Sequence, residues 1–182
     1  NTAVKMGELA KKWFAEYASN ETSFATALGL SPDDNFAGKV YRRVEQKLER
    51  EAVEDFRIDF EDGFGNRPDQ EEDETALMAA REVLRGMREG TLPPFLGIRI
   101  KPLSEELASR SIRTLDLFLT EMFKDEDARL PVNFVVTLPK ITSSQQVSTL
   151  VDVFEILEDR FDLEEGSLKM EFMVETPQSL LS

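Results

Sequence analysis

Phe56-Arg57-Ile58-Asp59-Phe60-Glu61 alternates apolar and ionic residues without a break and runs into Asp62-Gly63. Successive side chains of a strand point to opposite faces, so Phe56, Ile58 and Phe60 share one face while Arg57, Asp59 and Glu61 share the other. Three more segments read as strands: Phe95 to Lys101, Asn133 to Leu138 and Leu168 to Glu175. The first of these sets Leu96, Ile98 and Ile100 against Gly97, Arg99 and Lys101. The last sets Leu168, Met170, Phe172 and Val174 against Lys169, Glu171, Met173 and Glu175. The strands start roughly every 35 to 39 residues, the period of successive β/α units. Parallel strands covered on both faces normally read as continuous Val, Ile and Leu, so charges recurring along one face call for an ionic interior. An enzyme barrel has one. The predicted fold is therefore α/β, a TIM-type β/α barrel of which about four β/α units are visible, against the eight of a complete barrel of about 250 residues.

Outward from the strands, helical spacing is clear. Residues 3 to 18 place Met6, Leu9, Ala10, Trp13, Phe14 and Tyr17 at helical intervals, and 36 to 50 place Phe36, Val40, Val44 and Leu48 likewise. The stripe Trp13, Phe14 and Tyr17 is expected in a core. Between these helices, Leu28 to Asn35 carries Gly29, Pro32 and paired aspartates, which are breakers. A third helix carries Ala76, Leu77, Ala80, Val83, Leu84 and Met87 and ends at Gly90 and Pro93-Pro94. The next starts near Ser104 with Leu107, Leu115, Phe118, Leu119 and Met122 as its stripe. Another starts at Ser143, where Gln146 completes a capping box, and carries Val147, Leu150, Val151, Phe154 and Leu157. No linker or composition shift divides the chain, so residues 1–182 read as one domain: a helical lead-in over 1–52 and four β/α units over 53–182. With four strands of eight, and with Thr176 to Ser182 standing where a catalytic loop would begin, the expectation is a partial barrel, inactive alone.

The chain has 182 residues, 41% hydrophobic and 32% charged, within the range of ordinary globular proteins. A net charge of −14 with no basic stripe argues against nucleic acid, whose phosphates require clustered Lys and Arg. No apolar run approaches the roughly 20 residues that span a bilayer, so no membrane partner is expected. The chain has no cysteine and no histidine, which excludes a disulfide frame, a thiolate site and imidazole chemistry. The reading is a cytoplasmic protein whose metal, if any, has oxygen ligands and is a hard ion such as Mg²⁺ or Mn²⁺.

In parallel β/α folds the chemistry gathers at the carboxyl ends of the strands. Here those ends read Asp59-Phe60-Glu61-Asp62-Gly63, Ile98-Arg99-Ile100-Lys101-Pro102, Thr137-Leu138-Pro139-Lys140 and Val174-Glu175-Thr176-Pro177. Acids, a guanidinium and an ammonium converging on one mouth would bind a divalent cation and an anionic substrate together. The acidic run Asp69, Glu71, Glu72, Asp73 and Glu74 reads as a solvated face. Arg99 serves equally as a structural partner of Glu61 or Asp59, and Lys140 equally as a loop cap. Glu171, deeper in its strand than Glu175, is expected to neutralise Arg57 or Lys101.

These strand ends carry a resemblance. Asp59-Phe60-Glu61-Asp62-Gly63 with Ala80-Arg81 on the next helix resembles the Asp-Leu-Glu-Asp signature and downstream Ala-Arg of the citrate lyase β-subunit and HpcH/HpaI aldolase family. Gly97-Ile98-Arg99 resembles its arginine strand, Leu138-Pro139-Lys140 its Pro-Lys strand end, and Val174-Glu175-Thr176 its metal-binding Glu-Thr. The motifs keep their order over residues 54 to 178 and look more like an uncharacterised branch than the citrate lyase subunit proper.

The resemblance implies a barrel, commonly trimeric or hexameric, that holds Mg²⁺ (or Mn²⁺) and cleaves or forms a carbon–carbon bond in an oxo-acid or acyl-CoA through an enolate. Carried over, Glu175 is a metal ligand, and Arg99 binds the substrate carboxylate and the developing enolate oxygen. Glu61 and Asp62 orient that arginine and the metal-bound waters, and Lys140 is a further substrate-binding candidate. Lys101 stands where the family commonly has Asn, which is expected to alter the grip on substrate. The family's second metal carboxylate, an Asp on a following strand, has no counterpart up to Ser182. Two rival readings stay open: a barrel subunit serving binding or assembly without catalysis, and a phosphoenolpyruvate-type phosphotransfer enzyme.

Overall fold

A computed structural model describes residues 2–31, 35–125 and 128–181. Among them, helices α1 (Thr2–Tyr17), α2 (Glu21–Ala27) and α3 (Asn35–Glu51) precede strand β1 (Asp55–Asp59). Then follow α4 (Asp69–Glu89), β2 (Phe95–Arg99), α5 (Ala108–Met122), β3 (Phe134–Leu138), α6 (Ser144–Arg160), β4 (Lys169–Phe172) and α7 (Pro177–Leu181). The four strands form one parallel sheet in the order β1-β2-β3-β4. The chain divides into two compact units, Asn1–Phe56 and Arg57–Ser182, a boundary close to the expected end of the helical lead-in. No helix among the described residues is long and apolar enough to cross a membrane.

The first unit is three helices around an aromatic cluster. Phe14 stacks on Tyr41 with centroids 5.1 Å apart, and Phe24 meets both rings edge-on at 6.0 and 5.6 Å. The α1 stripe that turns inward is Gly7, Ala10, Phe14 and Ala18; Gly7 lies so close to α3's end that a Cβ there would be 3.2 Å from Ala52. Met6, Leu9, Trp13 and Tyr17 form the next stripe round, about 100° away on a 3.6-residue helix, and it stays exposed, Trp13 at 53% and Tyr17 at 71%. Of the three aromatics expected in a core, only Phe14 is there, because α2 and α3 cover only one face of α1. Helix α2 lacks a long periodic stripe. It is set by Asn20, whose side chain accepts from the Ser23 amide at 2.9 Å while the Ser23 hydroxyl accepts from the Asn20 amide at 3.2 Å. Gly29 follows with φ 67°; Pro32 and the paired aspartates lie outside the described residues.

In the second unit the apolar strand faces behave as their alternation predicts. Phe60, Leu96, Ile98, Ile100, Val136 and Leu138 are buried together with Ala76, Ala80 and Val83 of α4, Leu115, Phe118, Leu119 and Met122 of α5, and Leu150, Phe154 and Leu157 of α6. Gly90, in the left-handed region at φ 64°, ends α4 as a C-cap. The Ser143–Gln146 capping box starts α6. Helix α5 begins at Ala108, later than Ser104, because Ser104 spends its carbonyl on a tight turn, accepting from Leu107 and Ala108. On β4 the face expected to be apolar is only partly covered: Leu168 is buried, Phe172 and Val174 are exposed, as suits a strand paired on one side. Residues 177–181 form a short helix where a loop was expected; Thr176 starts it by accepting from the Ser179 amide at 3.1 Å.

The ionic faces of the strands line up. Gly97 stands opposite Val135 and Arg99 opposite Thr137; Val135 stands opposite Lys169 and Thr137 opposite Glu171. Arg57 on β1 donates to Glu171 on β4 at 2.7 Å, and Thr137 between them donates to the same carboxylate at 3.1 Å. On a flat sheet, three spacings of about 4.8 Å would hold β1 and β4 roughly 14 Å apart. Arg57 reaches Glu171 by lying extended across the charged face, over Gly97. Gly97 makes the crossing possible: a Cβ there would meet the Val135 carbonyl at 2.5 Å and the Arg57 stem at 2.9 Å. Gly97→Ala is expected to lower stability by about 1–3 kcal/mol, the usual range for overpacking a close contact. Urea unfolding checks this, and a loss below about 0.5 kcal/mol would mean the arginine does not need that gap.

Candidate functional site

Four strand ends supply the charged groups, and each is placed by its own strand or the turn after it. Asp59 and Arg99 are the last residues of β1 and β2, held side by side where the Phe60 amide donates to the Arg99 carbonyl at 2.9 Å. Arg99 grips Asp59 with both edges of its fork, Nε to Oδ1 at 2.8 Å and Nη2 to Oδ2 at 2.5 Å. The Asp59 carboxylate also accepts the amides of Glu61 and Gly63, at 2.9 and 2.8 Å. Gly63 lies so near that a Cβ would collide with the Asp59 carboxylate. Donation from Arg99, with the two amides adding and partial burial opposing, holds the Asp59 carboxyl down to about 2 from its ordinary 3.8. The same pairing raises the Arg99 guanidinium.

Glu61 and Asp62 follow in the turn. Glu61 is buried and accepts the Lys140 ammonium on Oε1 and the Asp62 amide on Oε2, the latter at 2.8 Å. Asp62 is exposed and accepts the same ammonium at 2.7 Å. Lys140 thus bridges two strand ends, and its ammonium is raised above the ordinary lysine value, by Asp62 first and Glu61 next. Its backbone has φ 49°, a left-handed conformation that costs a non-glycine residue on the order of 1 kcal/mol. Glu175 helps to hold that geometry, because the Lys140 amide donates to its carboxylate at 2.8 Å. Thr176, next in sequence, donates its hydroxyl to the Ile141 carbonyl and ties the ends of β3 and β4 together.

The structure therefore brings Glu61, Asp62, Arg99, Lys140 and Glu175 to one end of the sheet, with their partners rearranged. Asp59, not the Glu61–Asp62 pair, orients Arg99; Glu61 comes only to 3.9 Å of the guanidinium, and both acids turn to Lys140. Asp59 was one of two acids expected to partner Arg99, and the structure selects it; its two amide donors exist only once the turn closes. Glu171 neutralises Arg57, one of its two expected partners, and is lowered by it. Glu72 departs from its expected solvated face: it is 1% exposed and accepts from Arg110, Thr114 and Lys101. Lys101 is buried against it instead of facing the mouth.

The donors suit a hard cation, since Glu61, Asp62 and Glu175 offer oxygen alone. Among the described residues no three acids already stand close enough together to hold an ion, and the Lys140 ammonium sits between Glu61 and Asp62. One donor is left open. Among the described residues Arg99 Nη1 has only the Met173 sulfur as a hydrogen-bond partner, at 3.8 Å, so the guanidinium is oriented by one edge and offers the other to an anion.

Because the Asp59 carboxyl is depressed in the fold, its contribution to stability is complete above about pH 3.8 and drains away as pH falls towards 2. Asp59→Asn should cost on the order of 1–2 kcal/mol at neutral pH and flatten that acid limb. Unfolding midpoints between pH 2 and 5 check this; parallel curves for the two proteins would remove Asp59 as the anchor.

No curated protein and no solved structure matches the chain. The sequence model described as "Domain of unknown function (DUF6986)" matches residues 1–182, and the protein belongs to that family.

Proposed function

We propose that this protein is a carbon–carbon lyase or aldolase similar to the HpcH/HpaI and citrate lyase β-subunit enzymes, acting on an oxo-acid or acyl-CoA through an enolate. The observation that carries the proposal is the Asp59–Arg99 fork with Nη1 left open at the carboxyl end of a parallel sheet. A TIM-type barrel accounts for ionic side chains gathered on one face of that sheet, and is part of the proposal.

Cleavage breaks the bond between the carbon next to a carbonyl and the carbon bearing a hydroxyl. The electron pair passes into the carbonyl as an enolate, the hydroxyl carbon becomes a new carbonyl as its proton passes to water, and a proton taken back from water at the enolate carbon completes the second product. Arg99, already oriented by Asp59, offers Nη1 to the enolate oxygen or to the neighbouring carboxylate, and a preset donor of this kind stabilises charge that exists only late in the reaction. Lys140 is held as an ammonium by Asp62 and Glu61, which favours electrostatic work over an imine-forming amine. In this reading Glu175 is a ligand of Mg²⁺ or Mn²⁺, with Glu61 and Asp62 orienting its waters. Such an ion would act as a Lewis acid on the substrate oxygens.

Two results test the proposal. Mn²⁺ or Mg²⁺ should raise the unfolding temperature, and Glu175→Ala should abolish the rise; no metal response in either protein would count heavily against the metal. Oxo-acid release from 4-hydroxy-2-oxo acids or hydroxyacyl-CoA thioesters should fall about 10²- to 10³-fold in Arg99→Lys, which loses the fork. The engagement of every site acid by Arg99, Lys140 or a backbone amide favours one alternative, a barrel that binds without catalysis. Substrate turnover would exclude it.

A further inference from the structure

We infer that Lys101 is a positioning residue: with buried Glu72 and Arg110 it clamps the loop after β1 at both ends and so sets Glu61 and Asp62 in place. Lys101 Nζ donates to the Phe60 carbonyl at 2.5 Å, at the residue before Glu61, and pairs with Glu72 Oε2 at 2.9 Å. It also lies 5.2 Å above the Phe64 ring, within the same loop. At the far end, Arg110 donates to the Arg67 carbonyl while its Nε donates to Glu72 at 2.7 Å. Glu72 is completed by Thr114, whose hydroxyl donates to its other oxygen at 2.7 Å. Ser111 fixes the base of the lysine by donating to the Lys101 carbonyl at 2.6 Å.

Lys101 and Glu72 are both almost wholly buried, and neither touches Arg99, Lys140 or Glu175. A carboxylate taken out of water is costly unless its partners are complete, and here two cations and a hydroxyl complete it. A fold needing only a filled space would accept an apolar residue at position 101. What the ion pair adds is a donor aimed at one loop carbonyl. The loop has few other ties: Asp59 holds the amides of Glu61 and Gly63, and the Gly65 amide donates to the Glu61 carbonyl at 2.8 Å. The Phe60 amide on the Arg99 carbonyl and Lys140 on the side chains of Glu61 and Asp62 also hold this stretch, and Lys101 adds the tie that fixes the Phe60 carbonyl, where the loop leaves β1.

The test is amide hydrogen exchange on Lys101→Met and Lys101→Arg. In Lys101→Met, Glu72 keeps Arg110 and Thr114, so the fold is expected to persist; urea unfolding verifies this. Exchange across 60–66 should quicken at least fivefold in Lys101→Met while 134–138 stays within twofold, and Lys101→Arg, which can still donate to both acceptors, should stay near wild type. Unchanged loop exchange in Lys101→Met overturns the clamp. So does a rise shared equally by 134–138, or equal loosening by Met and Arg. The clamp does not depend on the proposed reaction, and adding Mn²⁺ to the same samples separates the two. Loop exchange in metal-free protein judges the clamp, and wild-type stabilisation by Mn²⁺ judges the metal reading.

Discussion

The ion pair that Arg57 makes with Glu171 across four strands is the constraint from which the rest of the second unit follows. It ties the outer strands together over the charged face, with the arginine stem passing over Gly97, where a Cβ would come within 2.9 Å of it. A charged group that the fold draws out of water needs a partner to offset its desolvation. The layers above obey the same rule. Asp59 takes Arg99, and Glu61 with Asp62 takes Lys140. Off to the side, Glu72 takes Lys101 and Arg110. The interior is a stack of neutralised layers, each joining different strands or helices.

That stack explains how the strand ends combine rigidity with an open group. Arg99 is fixed through Nε and Nη2, and the carboxylate that fixes it is fixed in turn by two backbone amides. What remains open, Nη1, faces the same end as the strained Lys140 and the carboxylate of Glu175. A side chain with one edge committed and the other available is preorganised for an anion, because little ordering cost remains when the anion arrives. The strain at Lys140 fits the same scheme, since it is sustained by contacts from two other strand ends.

Much of this architecture was readable in the residues. Alternation placed all four strands within a few residues, and 3.6-residue spacing placed the five longer helices, because both periods are local properties of the backbone. Short helices escaped that logic: α2 and α7 are held by Asn20 with Ser23 and by Thr176 with Ser179, too few residues for a stripe. Charged runs were misread for a related reason. Glu72 sits among four other acids and differs from them only in which way its turn of helix faces. Glu158 is another buried acid that its sequence neighbours do not betray; its carboxylate accepts the amides of Gly166 and Leu168 at 2.9 and 2.6 Å just before β4.

The order of strands and helices, the ionic character of one sheet face and the gathering of Glu61, Asp62, Arg99, Lys140 and Glu175 at the strand ends were written in the chain, because each depends on periodicity and on position along a strand. Which acid would hold which cation was not. Asp59 rather than Glu61 holds Arg99, Lys140 rather than Arg99 holds Glu61 and Asp62, and Lys101 turns to Glu72. Those choices depend on distances of a few ångströms between residues about 30 or more positions apart, and only the packing of strand on strand and of α4 against α5 sets such distances.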